Sequence, residues 1–184
     1  STYTALSSVK SAKGVLDPKD KPFTISFFCK IPEKINDNQI ILQKKSSLSN
    51  NITVALSSSV STSEADILFG ITSGSNFSFV SGSVSKGGFV RIAAIYDPEG
   101  DEKTKLLIED TIYSSSMSTV FNSLNFSSAN LTIGTGEQIR MNEDIFDQQE
   151  TFSGSIDEFR YFHYAKNEKE LHEDKYTSVY ANED

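Results

Sequence analysis

The chain of 184 residues contains no tryptophan, one cysteine, two histidines and four prolines. A single thiol, Cys29, excludes an internal disulfide framework and any thiolate cluster around a metal. It alternates with Phe27 and Ile31, which marks it as a small core residue. His163 and His172 have no clustered partners of the kind that zinc or a nucleophilic triad needs. Basic residues are also in short supply: 17 Lys and Arg against 25 Asp and Glu give a formal net charge of −8. Neither a nucleic-acid backbone nor an anionic bilayer surface is an expected partner for such a chain. No run approaches the ~18–20 apolar residues that cross a bilayer, and no basic-then-apolar signal precedes the first strand. Four Asn-x-Ser/Thr triplets, at Asn51, Asn76, Asn125 and Asn130, carry little weight where Ser and Thr are so common.

What the chain does have is short apolar runs, plentiful Phe and Tyr, and turn residues between them. Phe89 to Tyr96 is apolar on both alternating faces except at Arg91, the pattern of a strand covered from two sides. The Asp97-Pro98-Glu99-Gly100-Asp101 cluster turns the chain into a second strand at Lys105 to Ile108. The cleanest alternation is Phe23, Ile25, Phe27, Cys29 and Ile31 on one side with Thr24, Ser26 and Lys30 on the other. Further strands are expected at Gln39–Gln43, Ile52–Leu56, Ile67–Ile71, Phe77–Phe79, Leu131–Ile133 and Phe152–Tyr164. In the last of these, Asp157, Phe159 and Tyr161 are expected to face opposite to Ile156, Glu158 and Arg160. Turn signals recur every eight to twelve residues, the spacing of a sandwich. Val120, Phe121, Leu124 and Phe126 are the expected anchors of a Ser-rich stretch from Thr111 to Asn130. Only the segment after residue 166 reads as helical, with Asn167 as N-cap, Glu170 at the third position and Leu171 pointing inward.

The order of four stretches resembles the concanavalin A-like lectin/glucanase superfamily, most closely its laminin-G-like and pentraxin-like branch. They are Phe23-Thr24-Ile25-Ser26-Phe27-Phe28-Cys29-Lys30, Phe89 through Asp97, Leu106-Leu107-Ile108-Glu109-Asp110, and Leu131-Thr132-Ile133-Gly134 followed, after a variable loop, by Phe152 through Arg160. Phe89 stands where that family usually has Trp, and a Trp usual near Phe28 is absent. Glu109-Asp110 replaces a usual Asp-Gly, so the turn there relies on Asp110 in a left-handed conformation or on a longer loop. The resemblance implies an all-β fold: an antiparallel two-sheet β-sandwich, or jelly roll, with one short C-terminal helix. Residues 1–175 are expected to form that domain and 176–184 a polar tail.

Catalysis finds little support. A retaining glycosidase of this architecture needs two carboxylates about 5 Å apart in one groove, and Asp157 and Glu158 are adjacent. Gly134-Thr135-Gly136 reads as turn chemistry and not as a phosphate loop. Calcium is the sharper possibility, since hard cations take six to eight loop oxygens. The segment with Glu137, Gln138, Asn142, Glu143, Asp144 and Asp147 has enough donors, and Glu137-Gln138 after Ile133-Gly134 resembles a pentraxin calcium loop. Ile139 departs from that pattern where an acid is usual, and Arg140 sets a positive charge beside it. The alternative is a solvated acidic loop. Asp157 is a separate candidate, against a structural hydrogen bond to neighbouring amides.

These readings lead to a non-enzymatic recognition module that binds a glycan or a cell-surface protein through rim loops or a sheet face. Aromatic rings would stack on sugars, and amides and carboxylates would take the hydroxyls. The competing reading is a structural domain of a virion or surface assembly that packs against neighbouring subunits; a glycoside hydrolase stands third. All three place the domain outside the cell, on its surface or on a virion.

Overall fold

The computed structural model describes residues 16–57, 61–115, 119–121, 123–124, 126, 129–141 and 144–174. The alternation around Tyr3, Ala5 and Val9, which predicts an entry strand, and the polar tail both lie outside the described residues. One sheet has five strands, β1 (Phe23–Lys30), β6 (Phe89–Tyr96), β7 (Thr104–Ile108), β8 (Thr111–Ser114) and β13 (Ser155–Phe162), in the order β13-β1-β6-β7-β8. The other has six: β2 (Gln39–Ser47), β3 (Asn50–Ser57), β4 (Glu64–Ser73), β5 (Asn76–Ser85), β9 (Leu131–Ile133) and β12 (Glu150–Thr151). Its order is β12-β2-β3-β4-β5, with β9 also on β2. All neighbours in both sheets are antiparallel except β12, which runs parallel to β2.

The two sheets bury one common core, because each alternating strand has one apolar side to hide. From the five-stranded sheet come Phe23, Ile25, Phe27, Cys29, Val90, Ile92, Ala94 and Tyr96; from the other come Ile52, Val54, Leu56, Ile67, Phe69 and Ile71. Phe23 meets Phe69 edge-on across the layers, with ring centroids 6.4 Å apart. Phe121, Leu124 and Phe126 belong to this core, whereas Val120 is 65% exposed and is held only through its carbonyl, which accepts from Asn76 among the described residues.

The other side of β6 explains its double-faced apolar run. Ala93 and Ile95 join Leu107 in a second small core, sealed by Leu171 of helix α1 (Glu168–Asp174). The helix begins with the reciprocal cap its sequence encodes: Asn167 N donates to Glu170 Oε2 at 2.9 Å and Glu170 N to Asn167 Oδ1 at 3.0 Å. Arg91, the one charge in the β6 run, is buried here and donates from Nη2 to the carbonyl of Leu171. That bond satisfies a carbonyl near the end of the helix.

Three local expectations change. Glu109, not Asp110, takes the left-handed conformation, at φ 54°. Strict alternation fails in β13, where Glu158 has φ 49° and the register to β1 shifts between Ser26 and Phe28. The extra residue of this bulge puts Ile156, Phe159 and Tyr161 all against the core, and Glu158 pairs with Arg160 at 2.8 Å. The acidic stretch 137–150 is not plain loop either: it holds a hairpin of β10 (Ile139–Met141) and β11 (Asp144–Phe146), and then β12.

Candidate functional site

The outer face of the six-stranded sheet is polar where most sandwich faces are merely solvated. Register places Thr132, Gln43, Thr53, Gly70 and Phe79 in one row across β9, β2, β3, β4 and β5. A parallel row holds Lys45, Asn51, Thr72 and Phe77. Gln43, Asn51, Thr53 and Thr72 are all buried, because the segment from Glu137 to Arg140 crosses above them. At its start the Gln43 amide accepts from Glu137 N at 2.9 Å and donates to Glu137 O at 2.9 Å. At its end Thr72 donates to the carbonyl of Arg140 at 3.2 Å, and Ile139 between them is fully buried.

Glycine makes this close crossing possible. Gly134 turns the chain at φ 80°, and a Cβ on Gly136 would lie 2.8 Å from Ile40 and 2.9 Å from Gln43 Oε1. Gln148 supports the same turn, accepting from Gly136 N at 2.7 Å and donating to Thr135 at 3.3 Å. Gln39, the second buried glutamine of β2, donates to Glu150 at 3.1 Å and accepts from Ser153 N at 3.1 Å. Hydrogen bonds from Asn36 and Gln39 hold the Glu150 carboxyl below its ordinary range.

Between this crossing and β9 lies a cleft of ≈ 460 Å³. Its walls are Gln43, Lys45, Asn130, Thr132, Thr135 and Glu137. Lys45 and Glu137 meet at 2.6 Å, with the Glu137 side chain 79% exposed and that of Lys45 11%, so an incoming hydroxyl meets the carboxylate first, with the ammonium behind it. Amide, hydroxyl, ammonium and carboxylate thus converge on one open cavity, the donor and acceptor set that reads a polyhydroxylated ligand. On the far side of the crossing, Phe77 and Phe79 pair on β5 with centroids 5.6 Å apart, and Phe79 lies over Gly70.

Of the residues singled out for a cation, Glu137 lines the cleft and is tied to Lys45. Gln138 follows it, exposed. Asp144 and Asp147 are exposed on the hairpin and just after it. Asp157 stands in the other sheet, accepting at 2.8 Å from the next amide, Glu158 N. Asn142 and Glu143 lie outside the described residues. Among the described residues no three His, Cys, Asp or Glu side chains gather as a cation would require. The residues that sequence reasoning passed over are Gln43, Lys45, Asn130 and Thr132. In the sequence Asn130 stands out only as part of a glycosylation triplet and Thr132 only within the Leu131–Gly134 stretch. The available signal was a glutamine and a lysine on the polar side of an otherwise apolar strand.

A family model for the concanavalin A-like lectin/glucanases superfamily, of the laminin-G type, matches residues 4–172. The chain belongs to this superfamily. Solved structures that resemble this superfamily member include the heptameric SAP-like pentraxin of Limulus polyphemus, at 12% identity and TM-score 0.60, covering 84% of this chain and 70% of that one. The CBM40 of a Ruminococcus gnavus IT-sialidase, solved with α2,3-sialyllactose, matches at 13% identity and TM-score 0.52, covering 82% of this chain and 80% of that one. Botulinum neurotoxin type C, whose cell entry depends on two ganglioside molecules, matches at 15% identity and TM-score 0.55 over 82% of this chain. The present chain spans 34% of that toxin chain's length. At these identities the likeness establishes the shared jelly roll. No curated protein sequence matches the chain, and among the described residues no helix is long and apolar enough to cross a membrane.

Proposed function

We propose that the domain is a carbohydrate-recognition module that takes a glycan in the cleft between β9 and the Glu137–Arg140 crossing. The observation that carries this reading is the convergence of Gln43, Lys45, Asn130, Thr132 and Glu137 on one ≈ 460 Å³ cavity. Sugar hydroxyls each donate and accept, so a site that offers both kinds of partner at short range suits them. The ganglioside and sialyllactose named with two similar structures support the ligand class. Lys45 is offset by Glu137, so the cleft presents a balanced pair and not a cationic trap; hydroxyl recognition dominates over charge. Such a module acts outside the cell, on its surface or on a virion, and holds its ligand without cleaving it.

The test is a glycan array followed by calorimetry on the best ligand. Asn130→Ala and Lys45→Ala are expected to weaken that ligand at least about tenfold, the scale of one lost hydrogen bond to a charged or well-placed group. A ligand bound equally well by both variants would move the site elsewhere on the domain.

A further inference from the structure

The two sheets have four edges, and three of these carry devices that prevent pairing with another chain. β13 has Asp157, Glu158 and Arg160 along it, and the Glu158 bulge breaks its line. β8 has only four residues. The edge beside β2 is made of β9 and β12, with three and two residues. Short length, charge and bulges are the means by which edges avoid association.

β5 has none of these. It runs ten residues, Asn-Phe-Ser-Phe-Val-Ser-Gly-Ser-Val-Ser, without a charge or a proline. Its pairing with β4 is unbroken over ten partners, so no bulge turns it away. At its start Asn76 donates to the carbonyl of Val120 and Ser78 bonds Ser115, so the chain after β8 passes beside it. From Phe79 onward, among the described residues, its free edge makes no main-chain hydrogen bond, and Ser81, Ser83 and Ser85 are exposed. An open row of donors and acceptors over that part of the strand is a template for another strand.

We infer that β5 is a docking edge for a second copy of this chain. The occupant follows from self-complementarity: two antiparallel copies of one strand form an isologous, closed two-fold contact. A neutral strand meets itself without like charges opposed, in a chain whose net charge of −8 would otherwise resist association. Pairing in this way joins the two six-stranded sheets into one. Outer faces stay on the same side, so the Phe77–Phe79 pairs of both copies lie near the seam with a glycan cleft on either flank. That last consequence rests on the proposed cleft; the edge contact does not.

Sedimentation equilibrium from low micromolar to millimolar protein tests the edge without any glycan. The wild-type chain is expected to form a dimer, and Ser81→Lys with Ser83→Lys is expected to raise its dissociation constant at least about tenfold. Both serines are exposed, so these lysines leave the monomer fold, read by circular dichroism, unchanged. Thr111→Lys on β8 serves as the control and keeps the dimer. A wild-type monomer throughout the range would overturn the inference, as would a dimer insensitive to the β5 lysines or equally weakened by Thr111→Lys. Glycan affinity of a single cleft, measured on the lysine variant, stands or falls separately.

Discussion

Gln43 and Glu137, 94 positions apart, hold each other by two hydrogen bonds of 2.9 Å, one in each direction. The same Gln43 amide nitrogen also donates to Thr53 at 3.2 Å, and Thr53 donates to Asn51 at 3.2 Å. A buried polar chain of this kind stabilises only while every member is paired. Gln43→Ala leaves an amide, a carbonyl and a hydroxyl short of partners and is expected to cost about 1–3 kcal/mol in urea unfolding. Gln43→Glu keeps the acceptor for Glu137 N but loses both donors, so it recovers only part of that loss. Glycan binding is expected to fall with the first variant because the wall at Glu137 is no longer fixed.

Gly136 fixes the height of the same wall. Gly136→Ala pushes a methyl group to 2.8 Å from Ile40, where a carbon cannot sit without displacement. The expected loss is about 1–3 kcal/mol, the range for overpacking. Ile40→Ala made alongside is expected to return part of it, and a double-mutant cycle on unfolding free energies measures the coupling. Strict additivity would show that the strain lies elsewhere.

Tyr161 stacks on Phe23 at 5.8 Å and 12°, while its buried hydroxyl has no hydrogen-bond partner among the described residues. Burial raises its pKa above the ordinary 10.0, and Asp17 adds to the rise. Burial likewise pushes Tyr96 up to about 12 and Cys29 from 9.0 to about 12. A raised folded-state pKa gives stability that is complete below the unfolded value and lost as pH climbs above it. These three groups therefore weaken the fold from about pH 9 upward. Lys44 works the other way: burial lowers its pKa from 10.5, against a smaller opposing effect of Asp17, so it adds stability as pH rises toward 10.5. Arg91, lowered from 12.5 chiefly by burial, acts in the same direction as Lys44 at still higher pH. With three groups against two, the net expectation is a falling melting temperature above pH 9. Tyr161→Phe is expected to flatten that fall and, at neutral pH, to leave stability equal or higher, since it removes a hydroxyl with nothing to bond. A loss above about 1 kcal/mol at pH 7 would contradict this.

Calcium gives a direct check on the acidic hairpin. Glu137 is engaged by Lys45, and Asp144 and Asp147 are exposed, with no third carboxylate gathered to them among the described residues. Millimolar calcium is expected to leave the melting temperature where EDTA leaves it. A rise of several degrees, as a ligand of the folded state produces, would make this hairpin a cation site.

The fold was legible because burial has a period. Phe23 to Ile31 reads as a strand with one face in the core, Phe89 to Tyr96 as a doubly covered one, and the Asn167–Glu170 cap as a helix start. The last two stand as read, and the first is a strand whose polar side, at Thr24 and Ser26, is buried too. The bulge at Glu158 was not legible, since a single extra residue leaves no trace in an alternation this short. The cleft was half legible. Glu137 was singled out for its charge, but Gln43 and Lys45 acquire meaning only when β9 arrives from some 90 positions downstream to form the other wall. No local pattern encodes such a meeting.

The Thr24 hydroxyl donates to the carbonyl of Tyr164, 140 positions later, and β1 lies between β6 and β13. On the ribosome β1 is therefore made early and completed late. Until β13 emerges, Phe23, Phe27 and Cys29 have one flank without a neighbour strand, a sticky interval in which chaperones would be expected to bind.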